Sequence, residues 1–225
     1  MGGGECEIDI VVLDGGPGAA GSAAPIAHAL GAPLPRLDAR SIAGQVEQVR
    51  AAVGGRHVTL VGWSWGAMLA VLVAATHPEL ARKLVLVSSG PLDNAYASRV
   101  EATRRARLTP REFERGDFAK SDSYDPIAAG GDIAFNAAVF RDVWEEAERL
   151  RARGGFLEAV GGIGCPVSAI HGDYDPHPAE GVREPFAAAV DDFTFHLLER
   201  CGHEPWNERH ARELFFELLE RECRP

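Results

Sequence analysis

An α/β fold with a mainly parallel sheet and helices on both faces is predicted by three observations in the sequence. Short apolar runs such as Val58–Val61 and Lys83–Val87 lack the alternation of a half-exposed sheet, as expected of strands covered on both faces. Alanine-rich or amphipathic stretches separate these runs, giving the β-α-β-α rhythm of a crossover-connected parallel sheet. Gly62-Trp63-Ser64-Trp65-Gly66 stands where a strand passes into a helix, at the carboxyl edge where such sheets bind ligands.

Ile8 to Leu13 forms the first β run and ends in Asp14-Gly15-Gly16-Pro17-Gly18, a turn that leaves backbone amides exposed. Ser22 to Leu30 is expected to be a short helix and Leu34 to Leu37 a short strand. Ser41 opens a helix to about Val53, with Ile42, Val46 and Val49 on one face. After the Val58 strand, Trp65 to Thr76 is rich in Ala, Leu and Met and is stopped by Pro78, a helix signature. Beyond Val87 the alternation breaks. The Arg-rich, mostly helical stretch 92–164 carries Phe135, Val139, Val143 and Leu150 near one face, widened by Phe140 and Trp144. It is expected to form a lid over the carboxyl edge, with a helical pair inside the core as the alternative. Segments 1–91 and 165–225 then make the core domain. Strand rhythm resumes at Pro166–Ile170, followed by His171-Gly172-Asp173-Tyr174-Asp175-Pro176. A helix over Val182–Val190, interrupted by Pro185, a strand over Phe193–Leu198 and an amphipathic helix from Pro205 to about Arg221 complete the chain.

A chain of 225 residues, 46% of them hydrophobic, suffices for one domain with a sizeable core. The net charge of -10 argues against non-specific nucleic-acid binding, which needs a basic face. Cys6, Cys165, Cys201 and Cys223 include no C-x-x-C pair and are expected to be reduced thiols of a cytoplasmic protein. Met1 is followed by glycines and Glu5 rather than a basic and then apolar stretch, so no secretory leader is expected. No apolar run approaches bilayer length, and no membrane partner is expected. The oligomeric state expected is monomer or homodimer.

The chemistry is carried by four loops that follow strands. Ser64 on a tight strand-to-helix turn is exposed as a nucleophile, with glycine favoured two residues to either side. A nucleophilic serine needs a base, and the base an orienting acid. His203 is the candidate base and Asp175 the acid. The amides of Trp65 and Gly16 are the candidate oxyanion donors, since Pro17 has none to give. Trp63, Trp144 and Phe140 are candidate walls of the substrate pocket. No cofactor and no metal are expected.

Together Gly62-Trp63-Ser64-Trp65-Gly66, Gly172-Asp173-Tyr174-Asp175 with Pro178 behind it, and Gly202-His203-Glu204 make the chain resemble the α/β-hydrolase superfamily. The resemblance runs from Ile8 to about Arg221. Gly15-Gly16-Pro17-Gly18 together with Ser64-Trp65-Gly66 resembles most the proline iminopeptidase branch. It implies the α/β-hydrolase fold with a shortened sheet, a lid after the sixth of the family's eight strands, and an acid three residues after the glycine of the seventh. That places the acid at Asp175 rather than Asp173. The chain departs from the branch at Asp14, where the family has histidine, and in lacking two N-terminal strands. Leu37-Asp38-Ala39-Arg40 also replaces the branch's Asp-Gln-Arg-Gly segment. Asp14 is expected to point away from the oxyanion and to brace the loop.

The expectation is a serine hydrolase acting on an ester or amide of a small molecule or short peptide. Two other readings stay open. His171, Asp173, Asp175 and His177 have residue types that suit a metal-assisted hydrolase, and the fold alone is compatible with a non-catalytic ligand-binding protein. Cys201 is read as a packing residue. Arg99, Arg104, Arg105, Arg107, Arg111 and Arg115 are read as a solvated helix face, with recognition of an acidic substrate as the alternative.

Overall fold

The computed structural model describes residues 9–128 and 133–224. Its sheet has five strands, all parallel: β1 (Ile10–Leu13), β3 (Val58–Trp63), β4 (Ala81–Val87), β6 (Val167–Gly172) and β7 (Phe193–Leu198), in the order β1-β3-β4-β6-β7. Ile8 and Cys6 lie outside the described residues. Two-residue β2 (Ala19–Ala20) pairs antiparallel with β5 (Ala134–Phe135) at the sheet's rim.

Helices cover both faces, because every central strand sends apolar side chains both ways. One face packs Val11, Leu13, Leu60, Leu84, Leu86 and Val167 against α2 (Ile42–Val53), α3 (Trp65–Thr76), α7 (Ala137–Ala152), α8 (Gly155–Gly161) and α9 (Glu180–Ala189). The other packs Val12, Val61, Val85, Val87 and Ile170 against α1 (Ala24–Leu30) and α10 (Arg212–Cys223). Helix α3 is buried on every side from Trp65 to Ala74, so it needs no polar face. Ser41 caps α2 by accepting from the Gly44 amide, as the sequence predicts.

Three expectations change. Residues 34–37 form no strand: Pro33 and Pro35 have no N–H for a ladder, and the stretch meets β1 through the Val12 amide donating to Pro33 O at 3.0 Å. Helix α9 starts at Glu180 and runs through Pro185, which at the second turn removes a single intrahelical bond, that to Gly181. The closing helix is broken into a 3₁₀ turn at Pro205–Asn207 and α10. Between them the buried Glu208 accepts from the amides of Tyr124 and Asp125, both at 2.7 Å, and of Gly202 at 2.9 Å.

The stretch 92–164 holds α4 (Asn94–Arg107), α5 (Pro110–Glu114), α6 (Ala119–Asp122), β5, α7 and α8. Its second half sinks into the main core through Val139, Val143, Ala147, Phe156 and Val160. Its first half has only Ser121 buried among α4, α5 and α6.

Helix α10 is locked to the sheet by one carboxylate. Glu222 accepts from Lys83 of β4 at 2.9 Å, from Ser168 of β6 at 2.7 Å, and bonds His196 of β7 at 2.9 Å. Burial raises its pKa, but these three partners outweigh it and hold the group at about 2. Its folded pKa therefore lies below the unfolded value of about 4.3. The stabilisation is complete above that value and is lost as pH falls through the folded one. Glu222→Gln is expected to lower the unfolding free energy by about 1–3 kcal/mol at pH 7. Urea titrations should show the gap to wild type closing as the pH approaches 2; an undiminished gap would contradict this account.

Candidate active site

The turn from β3 to α3 holds Ser64 at φ 54° and ψ -113°, a strained conformation for a residue with a side chain. Its tightness explains both flanking glycines. A Cβ on Gly62 would stand 2.3 Å from the Gly66 carbonyl, and one on Gly66 would stand 2.4 Å from Leu13 O. The Trp65 amide is the first of α3 and has no acceptor inside the helix. Its indole donates to Gln45 Oε1 at 2.8 Å, so the Trp65 ring anchors the elbow to α2.

The 14–18 loop approaches the same place. Gly16, at φ 51°, and Trp65 line one narrow crevice. Asp14 turns toward residues 21–23, where it accepts from the Gly21 amide at 2.9 Å, the Ala23 amide at 2.8 Å and the Ser22 hydroxyl at 3.2 Å. It braces the loop as the sequence suggests. Burial raises its pKa, against the pull of those donors.

At the ends of β6 and β7 the buried Asp175 gathers imidazoles. His203 Nδ1 lies 2.7 Å from Oδ2, His177 Nδ1 lies 2.7 Å from Oδ1, and His171 Nε2 lies 3.6 Å from Oδ2. The His177 amide donates to Oδ1 as well, at 2.9 Å. The rings of His177 and His203 sit 4.5 Å apart. His203 is fixed from behind: its carbonyl accepts from Trp63 Nε1 at 2.9 Å, and its amide donates to Asp122 O at 2.7 Å. The Ser64 hydroxyl makes no hydrogen bond among the described residues.

The protonation preferences differ within this cluster. Burial pushes the Asp175 pKa up, but the facing imidazoles of His203, His177 and His171 hold it well below the usual carboxylate range. For His203, burial disfavours the charged ring, yet the Asp175 charge and hydrogen bond raise its pKa. For His177, burial wins and its pKa is lowered, with His203 adding to the fall against the attraction of Asp175. Cys201 is buried, and burial first, then Glu208, Asp175 and Asp173, pushes its thiol up, which disfavours a thiolate and suits the packing role.

The four-residue metal set suggested by the sequence does not converge. Asp173 Oδ1 accepts from the Cys201 amide at 3.1 Å, and His171 Nε2 bonds the His177 carbonyl at 2.8 Å. The donors that do meet are those of Asp175, His177 and His203, within 4.8 Å of one another. Both Nδ1 atoms there are already directed at the carboxylate.

A cavity of roughly 300 Å³ opens at Ser64, walled by Trp65, Met68, Trp144 and His177, with Ala97, Val100 and Arg104 of α4 above it. Of the expected pocket walls, Trp144 is present. Trp63 is not: its indole packs edge-on against Trp206 and beside His203, lining a separate depression of roughly 540 Å³. Phe140 is also absent, half-exposed and stacked on the outside of Trp144. Phe140 lies one turn before Trp144 on the same side of α7, so spacing alone does not tell them apart; the cavity stops at Trp144 and Phe140 lies beyond it.

Of the six arginines, Arg105 pairs with Glu101, Arg104 with Asp122, and Arg107 donates to the carbonyls of Ser121 and Tyr174. Sequence reasoning missed Arg151. It occupies the fourth place of a stripe spaced by four, Val139, Val143, Ala147 and Arg151, all buried. A cation in phase with an apolar stripe was the signal.

A parallel sheet with a strained serine at its carboxyl edge defines the α/β-hydrolase class. A family model described as the alpha/beta hydrolase fold matches residues 10–123, and the chain belongs to that family. Similar solved structures share the fold. VinJ is 17% identical, with a TM-score of 0.69 over 98% of this chain and 91% of that one. A proline iminopeptidase from Mycobacterium smegmatis is 18% identical, with a TM-score of 0.64 over 96% and 90%. A putative lipase from Acinetobacter baumannii AYE is 17% identical, with a TM-score of 0.68 over 98% and 86%. No curated protein gives a significant match. Among the described residues no helix is long and apolar enough to cross a membrane.

Imidazole titration followed by NMR should separate the two rings on Asp175. His203 is expected to take up its proton above the ~6.5 of a free histidine, and His177 below it. The reverse order would refute the electrostatic account.

Proposed function

We propose that the protein is a serine hydrolase that cleaves an ester or amide of a small molecule or short peptide through an acyl-enzyme on Ser64. The observation that carries this reading is the 2.7 Å contact between His203 Nδ1 and buried Asp175, at the sheet edge that also holds the strained Ser64. Asp175 orients His203 and stabilises its charged form. His203 takes the Ser64 proton as Oγ attacks the substrate carbonyl, then gives that proton to the leaving group. Water, deprotonated by the same imidazole, releases the acid and restores Ser64. The serine–imidazole hydrogen bond of such sites commonly tightens only with substrate bound. The amides of Trp65 and Gly16 would hold the oxyanion, each worth roughly 3 kcal/mol to the transition state.

The stretch 92–164 enters this proposal as the cover of the site. Helix α4 with Phe113 and Phe118 roofs the cavity, while α7 contributes Trp144 and Arg151 to its wall. The similar structures include a protein described as an iminopeptidase and another as a putative lipase, and both names fit acyl transfer to water. No cofactor is invoked. The protein is taken to act as a monomer or homodimer, in the cytoplasm.

A second assignment has one observation in its favour: His177, not His203, shares the cavity wall with Ser64. Burial lowers its pKa, which makes it the weaker base of the two. Variants decide between them. Ser64→Ala and His203→Gln are expected to cut kcat by at least about 10³-fold with circular dichroism unchanged, and His177→Gln by less than about tenfold. Asp175→Asn should cost far more than Asp173→Asn. A larger loss from His177→Gln than from His203→Gln would transfer the base role, and a Ser64→Ala protein with full turnover would end the proposal.

The donors gathered by Asp175, His177 and His203 keep the metal-assisted reading testable. Exhaustive dialysis against a chelator is expected to leave ester turnover unchanged; loss restored by zinc or manganese would favour the metal route.

A further inference from the structure

Arg151 is a buried cation with no ion-pair partner among the described residues. It lies in the last turn of α7 with 8% of its surface exposed, on the stripe that otherwise carries Val139, Val143 and Ala147. Its Nε donates to Pro91 O at 3.0 Å, and its guanidinium lies 5.8 Å from the Trp144 ring and 5.9 Å from that of Phe156. Among the described residues it forms no ion pair, and its two terminal nitrogens have no hydrogen-bond partner. It lines the cavity that Ser64 opens into. A charge so placed is costly unless something pairs with it. Burial accordingly lowers its pKa, and Glu148 is the one charge working the other way.

The other charges around this cavity are already engaged or solvated. Arg104 is neutralised by Asp122 at 2.5 Å, and Glu101 is held by Arg105 at 2.7 Å. Glu148 is exposed to solvent. That leaves the guanidinium as the unmatched buried charge in a wall otherwise formed largely by Trp65, Met68, Trp144 and Phe118. A planar fork of donors of this kind fits a carboxylate.

The direction of the substrate follows from proton transfer, and this step rests on the serine-hydrolase reading above. The leaving group must receive its proton from His203, so it occupies the depression that His203 lines with Trp63. The acyl group then takes the other side, the Ser64 cavity that Arg151 also lines. We propose that Arg151 is a specificity-determining residue that binds a carboxylate carried by the acyl chain, so that the preferred substrates are monoesters or monoamides of short dicarboxylic acids.

The test compares the 4-nitrophenyl monoester of adipic acid with its isostere whose far carboxylate is an amide. Wild type is expected to favour the acid by about tenfold or more in kcat/KM, mainly through KM, with the preference shrinking at high salt. Arg151→Met should bring the ratio near one, and Arg151→Lys should restore part of it. Equal rates for the two esters in wild type, or an unchanged ratio in Arg151→Met, would overturn the proposal. If Arg151→Met fails to fold, the wild-type ratio decides, together with calorimetric binding of adipate to Ser64→Ala, where absence of binding counts against it. Failure of the underlying hydrolase reading looks different: Ser64 would resist a fluorophosphonate probe, and neither ester would turn over.

Discussion

The structure depends most on the buried charge of Asp175. A carboxylate removed from water needs compensation, and here three imidazoles and a backbone amide supply it from β6 and the loops that follow β6 and β7. His171 lies on β6, Asp175 and His177 follow β6, and His203 follows β7, so satisfying this one group ties two strand ends together. The asymmetry among the rings follows from the same charge. Each feels Asp175, but the balance between that attraction and burial raises the pKa of His203 and lowers that of His177.

The surrounding segments are fastened to these loops by polar groups rather than by bulk packing. Asp122 O accepts from the His203 amide, Arg107 donates to Tyr174 O while stacking on its ring, and Glu208 collects three amides from two loops. The first half of the 92–164 stretch is therefore tied to these loops with only Ser121 buried among α4, α5 and α6. The second half is anchored differently, by Val139, Val143, Phe156 and Val160 inside the main core. The cavity at Ser64 is thus lined by both halves, and Arg151 of the second half lies in its wall, bonded to Pro91 O and beside two aromatic rings.

Much of the architecture was legible because it is written in local chemistry. The wholly apolar run at β3, the alanine-rich α3 and the glycines at 62 and 66 each answer to constraints within a few residues. The structure restates those constraints as close backbone approaches. Ser41 announced the start of α2, and Asp14 could be expected to turn away and brace the loop because a carboxylate facing an oxyanion would oppose it. One expectation failed on a local feature that outweighed composition, and another on a distant partner. Residues 34–37 had the composition of a strand but prolines that deny a ladder. The last helix broke because Glu208 was drawn toward Tyr124 and Asp125, some 80 residues away in the chain.

The sequence by itself determined the sheet's parallel character, the elbow at Ser64 and the presence of an acid and an imidazole after the last two strands, since periodicity and turn sterics are short-range properties. Only the tertiary structure decided that three imidazoles surround Asp175, that Trp144 lines the Ser64 cavity while Trp63 and Phe140 do not, and that a buried guanidinium lines the same cavity as the serine. Those outcomes turn on the rotation of one helix against another and on which charges are left over after long-range pairing. Neither quantity exists until the chain has closed on itself.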